Sequence, residues 1–302
     1  MELNLKSNLK SNRLYIEILE RIKGSKKYQG ICEEIILDEI KKYFKLNPKA
    51  NFKSNSKDKI SEKKLKLIIK AIKKELHLSY SCFQTKKKKK QRDFYLNELN
   101  KKIKNKKDLR EIQETVEKLL SATISTKERL DKYPQIYREL FKITKTPQIV
   151  LDLGCGFNPF SFFYMNLKKL KYLAYDIDKN DINFLNKFFK IIGVYGLEGK
   201  AEILNIKNKI EISKLPKADI IFLFKIIDLI DKKSHKQSEE LIKQLISKAK
   251  FIIVSFPTTT IAKKRMNFPK RKWFELMLNR INLKFRVFKT DNEIFYIIDA
   301  RK

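Results

Sequence analysis

The segment Val150-Leu-Asp-Leu-Gly-Cys-Gly-Phe-Asn-Pro159 sets Gly154 and Gly156 directly after a short apolar run. Glycines there let the backbone turn tightly and approach a ligand closely. With a strand before them and a helix after, the turn lies at a strand carboxyl end beside a helix N-terminus, a ready seat for a ligand. A dinucleotide site would need a third glycine three positions after Gly156, and Pro159 stands there. The pyrophosphate fingerprint is therefore absent. Asp152, two residues before the turn, suits a ligand with a small cationic amino acid end, as in S-adenosylmethionine.

Two further elements extend this reading. Tyr175-Asp-Ile-Asp178 follows about twenty residues beyond the glycines, where a carboxylate can accept both ribose hydroxyls. Asp176 is the first choice for that role and Asp178 the second. Leu204-Asn-Ile206 closes a third apolar run, and the Asn205 amide oxygen, with Ile206 beside it, can accept from an adenine amino group. A lone aspartate at a strand end is a turn residue more often than not, but three such pieces in order at successive strand ends are rarely an accident. Acid–base groups are scarce. The only histidines are His77 and His235, and no His/Cys/Asp cluster, Walker loop or nucleophile elbow occurs. Such a site suits a reaction that needs little proton transfer. Methylation of a ring nitrogen with a free lone pair, such as guanine N7, asks only for alignment.

The elements that must position these residues alternate. Strands are expected at 148–153, 171–175, 201–204, 219–224 and 250–255. Helices are expected over 158–168, with Asn158 as N-cap and Pro159 first, and over about 180–191, 238–249 and 270–280. Segments 283–289 and 293–299 flank Thr290-Asp-Asn292 as a hairpin. Five βα units closed by an antiparallel hairpin make a doubly wound α/β sheet, the order of Rossmann-like class I methyltransferases. Earlier in the chain the period changes. Apolar residues recur at helical spacing in Leu14–Ile22, Ile31–Phe44, Leu65–Leu76 and Leu109–Leu119, so residues 1–124 read as an all-helical domain and 125–302 as the α/β domain.

Charge points to the partner. The 302 residues hold 69 Lys+Arg against 35 Asp+Glu, a net charge of +34, a field that attracts phosphate backbones. Only 11 of the basic residues are Arg in a chain crowded with Lys, Asn and Ile, so codon composition contributes to the lysine excess. Residues 1–124 carry 33 basic and 16 acidic residues and hold the denser positive charge. The run Lys86, Lys87, Lys88, Lys89, Lys90 is read either as a phosphate contact or as a solvated linker. No apolar stretch is long enough to span a membrane, Met1 to Asn12 has no apolar signal core, and three scattered cysteines argue for reduced thiols in a cytoplasmic protein without a metal site.

Ser125-Thr-Lys-Glu-Arg-Leu130 before the α/β domain and Ser255-Phe-Pro-Thr258 at the end of strand five complete a pattern with Gly-Cys-Gly-Phe-Asn-Pro159 and Asp-Ile-Asp178. In these motifs the chain resembles, over roughly residues 110–302, the 16S rRNA (guanine-N7) methyltransferases of the aminoglycoside-resistance type. The resemblance implies S-adenosylmethionine as cofactor, a helical N-terminal RNA-binding domain, and a decoding-site guanine in the small ribosomal subunit as target. It implies that Arg129 meets the cofactor carboxylate, that Gly154, Asp176 and Asn205 line the cofactor, and that Lys225 faces the substrate side. Read locally, Ser125 and Glu128 form a capping box. After Thr258 the family has a glycine pair, an Arg and a Gly-Met. Here Ala262 and Lys263 stand at the glycine positions and Lys264, beside Arg265, at the Arg position. Lys263, Lys264 and Arg265 keep the charge for RNA, with Lys264 positioning substrate, but Lys does not reproduce a bidentate Arg contact. Trp273 and Phe274 are read as helix core. Two rival readings stand beside this one: a methyltransferase for another RNA or ring atom, and a non-catalytic RNA-binding ribosome-assembly factor.

Overall fold

A computed structural model describes residues 13–48, 60–79, 91–230, 234–259, 266 and 269–301. The chain divides into two compact units, residues 1–82 with the strip 177–179, and residues 83–176 with 180–302. The division by charge and periodicity near 124 thus differs from the division by compactness, because two helices before 124 bury their apolar sides in the second unit.

The first unit is helical. Helices α1 (Arg13–Lys23), α2 (Glu33–Leu46) and α3 (Glu62–Ser79) share one core of Ile18, Ile22, Ile36, Ile40, Phe44, Leu65, Ile68, Ile72 and Leu76. These are the residues that recur at helical spacing, and Tyr15 stacks on Phe44 at 5.2 Å within the same core.

The second unit opens with α4 (Arg92–Lys104), α5 (Leu109–Leu120), α6 (Ile124–Arg129) and α7 (Tyr133–Thr144). Helix α4 was not legible in the sequence, because its polar residues dilute the period and only Leu96 and Leu99 are buried. Asp108 caps α5 by accepting from the Glu111 N–H at 2.8 Å. The capping box expected at Ser125 does not form. Thr123, not Ser125, stands at the N-cap position of α6 without a side-chain cap, its hydroxyl meeting that of Thr126 at 2.6 Å, and Glu128 takes the long-range partner Lys225.

Strands β1 (Ile149–Leu153), β2 (Leu170–Asp176), β3 (Leu197–Ile203), β4 (Ala218–Phe224), β5 (Ala249–Pro257), β6 (Phe285–Lys289) and β7 (Glu293–Asp299) form one sheet in the order β3-β2-β1-β4-β5-β7-β6. The first five are parallel. The hairpin is antiparallel, and β7 lies between β5 and β6. Side chains alternate across the sheet. Val150, Tyr172, Phe222, Ile253 and Phe295 pack on one face with residues of α4, α5, α7 and α8 (Lys179–Ile192). Leu151, Leu153, Leu223, Ile252 and Val254 pack on the other with residues of α9 (Lys209–Ser213), α10 (Ile227–Ile230), α11 (Lys236–Leu245) and α12 (Lys272–Arg280). Phe274 is fully buried there, and Trp273 packs partly buried beside it. Burial on both faces explains why the strands read as near-continuous apolar runs.

The helix expected after the glycine turn is shorter and tighter, a 3-10 segment over Asn158–Tyr164. Asn158 does not cap it. Its side-chain amide donates inward to Asp152 and to the Tyr172 hydroxyl instead.

Candidate functional site at the carboxyl edge of the sheet

The strand order reverses at β1, whose neighbours are β2 and β4. Chains on either side of such a point depart in opposite directions and leave a crevice at the strand carboxyl ends. Gly154 and Gly156 lie there with φ of 72° and 49°, the left-handed region that disfavours a side chain. The Gly154 and Cys155 N–H groups both donate to the Tyr175 carbonyl, at 2.8 and 3.0 Å, which ties the turn to the end of β2. A Cβ on Gly154 would stand 2.8 Å from the Ile226 side chain, whereas among the described residues no atom lies within 4 Å of a Cβ on Gly156. A side chain at the first glycine would press on Ile226, and the second borders open space among the described residues.

Asp176 ends β2 half-buried, and one of its carboxylate oxygens accepts from the Gly156 N–H at 2.9 Å. Its carbonyl accepts from the Leu204 N–H at 3.1 Å, which brings the β3 end alongside. There Asn205 is buried, its amide oxygen accepts from the Lys207 N–H at 3.1 Å, and its own N–H donates to Glu211 at 2.7 Å. Ile206 is partly buried against the core. Asp178 is grouped with the first unit instead, buried, with its carboxylate filling the space a side chain at Gly30 would need.

Asp152 lies beneath the turn. One of its oxygens accepts from the Tyr172 hydroxyl at 2.6 Å and from Asn158 at 3.0 Å, and the Tyr133 hydroxyl donates to the Asn158 amide oxygen at 3.1 Å. Burial pushes the Asp152 pKa up to about 6, against these hydrogen bonds and the Arg129 charge, which favour the ionised form. The neighbouring Asp176 charge pushes in the same direction as burial.

A second charged group sits past β4 and β5. Arg129, at the end of α6, is buried and makes a bidentate pair with Glu293, Nε to Oε2 and Nη2 to Oε1, both at 2.8 Å. Its guanidinium also lies 4.9 Å from the Phe224 ring centroid. The Lys225 ammonium meets Glu128 at 2.8 Å and Glu293 at 3.4 Å, and the Ser255 hydroxyl donates to Glu293. Lys225 holds a left-handed backbone, φ 57°, with its N–H donating to Ser255. Desolvation pushes the Glu293 carboxyl up. The Arg129 and Lys225 charges and the hydrogen bonds from Arg129 and Ser255 together outweigh it and hold the pKa below the ordinary carboxylate value.

Sequence reasoning missed Glu293. It opens β7, which reads as the second arm of a hairpin. Because β7 runs antiparallel to β5, with Glu293 opposite Pro257, its first residue falls at the edge where the parallel strands end. A single acid at the head of the fully buried run Ile294–Ile298 was the available signal. Arg271 was missed too. It donates to Asp228 at 3.1 Å and to the Pro257 carbonyl at 3.4 Å, and it lies 5.2 Å from the Phe256 ring centroid, fixing the base of the segment after β5. Lys263, Lys264, Arg265 and the run Lys86–Lys90 lie outside the described residues.

The family model described as ribosomal RNA methyltransferase (FmrO) matches residues 48–297. The chain belongs to this family. A 16S rRNA (guanine(1405)-N(7))-methyltransferase of Frankia casuarinae is 29% identical over 61% of this chain and 63% of its own length. The protein of the same name from Proteus mirabilis is 25% identical over 60% of this chain and 64% of its own. The chain thus spans less than two thirds of the length of these curated relatives. The crystal structure of the 16S rRNA methyltransferase RmtF in complex with S-adenosyl-L-homocysteine aligns with a TM-score of 0.72 at 21% identity, covering 95% of this chain and 98% of that one. The 16S rRNA methylase RmtB aligns at 0.66 and 20% identity, with the same coverage of both chains.

Proposed function

We propose that this chain transfers a methyl group from S-adenosylmethionine to N7 of a guanine in 16S RNA of the small ribosomal subunit, in the cytoplasm. The observation that carries the reading is the Gly154–Gly156 turn held against Asp176, with open space over Gly156. A nucleoside fits this arrangement. Asp176, at the end of β2 beside Gly156, stands where a carboxylate can accept ribose hydroxyls, and Asn205 and Ile206 stand at the next strand end for the base. Family membership and the shared name of the curated relatives favour the same substrate.

The bound cofactor would supply an electrophilic methyl on a sulfonium. The chain's own residues do the holding. Ionised Asp152 attracts the ammonium of the amino acid end. Arg129 is aimed at the carboxylate of that end, and Glu293 fixes its fork through Nε and Nη2, leaving the Nη1 hydrogens outside that pair. Lys225 is engaged by Glu128 and Glu293, so it serves as a fixed charge on the substrate side and not as a base. Guanine N7 already carries a lone pair, so alignment is the main requirement. Lys263, Lys264 and Arg265 are assigned to RNA, with Lys264 positioning the target nucleotide.

The test is transfer of radiolabelled methyl from S-adenosylmethionine to unmodified small ribosomal subunits, followed by borohydride and aniline cleavage, which breaks RNA at N7-methylguanine. Label with one cleavage near the decoding site is expected. Label without cleavage removes the N7 assignment, and no label on a cofactor-binding protein favours the assembly-factor reading.

A further inference from the structure

Arg129 and Asp152, assigned above to the two charges of the cofactor's amino acid end, stand on different elements, α6 and β1. One buried side chain lies between them. Tyr133 opens α7, four positions after Arg129, and is fully buried. Its ring stacks on Tyr137 at 5.8 Å and on Tyr164 at 5.6 Å, which fixes where the hydroxyl points. That hydroxyl donates to the Asn158 amide oxygen at 3.1 Å. Burial raises the Tyr133 pKa, and the neighbouring Arg129 guanidinium opposes the rise. A guanidinium offers only N–H groups, so the phenol oxygen turns its lone pairs toward Arg129 and its O–H toward Asn158.

The consequence falls on Asn158. Its backbone is held on both sides, the N–H donating to the Cys155 carbonyl at 2.9 Å and the carbonyl accepting from the Ser161 hydroxyl at 2.6 Å. The side-chain amide still has two orientations of nearly the same shape. In the observed one, Nδ2 donates to Asp152 at 3.0 Å and to the Tyr172 oxygen at 3.2 Å. In the flipped one, the amide oxygen would face the Asp152 carboxylate, acceptor against acceptor, and compete for the Tyr172 O–H that Asp152 now accepts. Among the described residues Tyr133 is the one donor to the amide oxygen, so its hydroxyl selects the orientation that serves Asp152.

We propose that Tyr133 is a positioning residue for the cofactor: by fixing the Asn158 amide it keeps two hydrogen bonds on Asp152 and so holds that carboxylate ready for the cofactor's ammonium. The proposal rests on the cofactor reading above and deepens it by naming a residue that acts through another. Its signature is the pH at which Asp152 ionises, since losing a hydrogen bond to the charged form moves that pH up. The ionisable groups around Asp152 are Tyr172 and Asp176 from β2, Arg129 from α6, Tyr133 and Tyr137 from α7, and Cys155 from the turn. Burial pushes the three tyrosines and the thiol up, so they stay neutral while Asp152 titrates.

The experiment is titration calorimetry of the full chain with S-adenosylhomocysteine from about pH 5 to about pH 8. Wild type is compared with Tyr133→Phe, Asn158→Ala, the double variant, and Tyr137→Phe, which removes an equally buried hydroxyl that engages Ser161 and not the Asn158 side chain. The wild-type profile should turn at about 6. Tyr133→Phe should move the turn up by roughly 0.5–1 pH unit, a loss of about two- to fivefold in affinity at about pH 6 that fades by about pH 8. Asn158→Ala should move it at least as far, the double variant no further than Asn158→Ala, and Tyr137→Phe not at all. A Tyr133→Phe profile that turns where wild type does, an equal shift in Tyr137→Phe, or a Tyr133→Phe shift that persists on the Asn158→Ala background each overturns the positioning role. A wild-type protein that does not bind S-adenosylhomocysteine at any pH overturns the cofactor reading itself.

Discussion

Two buried carboxylates flank the crevice, and their surroundings move them in opposite directions. Asp152 is met by neutral partners, a tyrosine hydroxyl and an asparagine amide, and its pKa rises to about 6. Glu293 is met by a guanidinium and an ammonium, and its pKa falls. At Asp152 the two neutral hydrogen bonds do not offset the desolvation of the charge, whereas at Glu293 the ion pairs do. Glu293 is thus committed to internal partners and acts as a positioning group. Among the described residues no cation is in direct contact with Asp152, which suits a site whose cation arrives with the ligand.

The sharpest way to break this contrast is Glu293→Ala. Removing one side of a buried pair leaves the Arg129 charge uncompensated, so a loss of about 3–5 kcal/mol is expected in urea denaturation. A loss under about 1 kcal/mol would show that water or Glu128 takes over the pairing. Next comes Asp176→Ala, which should leave the melting temperature of the ligand-free protein nearly unchanged and lower S-adenosylhomocysteine affinity by about 1.5–3 kcal/mol, the range for hydrogen bonds to a charged group. Titration calorimetry reads this directly, and normal binding by the variant would mean that the ribose lies elsewhere.

The two glycines should differ in their effect on binding. Gly154→Ala meets both a left-handed backbone and the Ile226 side chain, so roughly 1–2 kcal/mol of stability should be lost. Gly156→Ala has the same backbone strain but points into open space. It should therefore lose the same roughly 1–2 kcal/mol of backbone stability, and what distinguishes it from Gly154→Ala is an added loss of cofactor affinity. Equal affinity losses in the two variants would place the ligand away from Gly156.

The smallest effect is the pH dependence. Asp152 has a folded pKa of about 6 against an ordinary 3.8, so the folded state holds the extra proton. Its contribution to stability is therefore present at low pH and declines as pH rises from about 4 to about 6. Cofactor affinity should run the opposite way. It should fall at most about tenfold per pH unit below about 6 as the carboxylate protonates, and Asp152→Asn should flatten that profile. Glu293 has the opposite sign, since its stabilisation is complete above its ordinary 4.5 and is lost only as pH falls through its lower folded value.

The parallel strands, the terminal hairpin and the glycine turn were legible because each rests on a local period or a turn residue. Val150 and Leu151 could be placed in a strand without knowing which helices would cover them. Glu293 could not be placed, because its role depends on which neighbour β7 chooses, a decision made by pairing with β5. Asn158 misled for a related reason. By type and position it suited a cap, but a buried Asp152 six residues upstream competes for its amide more strongly than the helix end does. The boundary at 124 followed charge and periodicity, while the burial of Leu96, Leu99, Val116 and Leu119 in the α/β core is a matter of long-range packing.

The pair Arg129–Glu293 spans 164 residues of chain. During synthesis Arg129 leaves the ribosome long before its carboxylate exists, and every parallel strand can emerge while that guanidinium still points into water. Closing so distant a contact is slow relative to forming local structure. The buried ion pair beside the crevice should therefore close in one late step, when β7 pairs with β5.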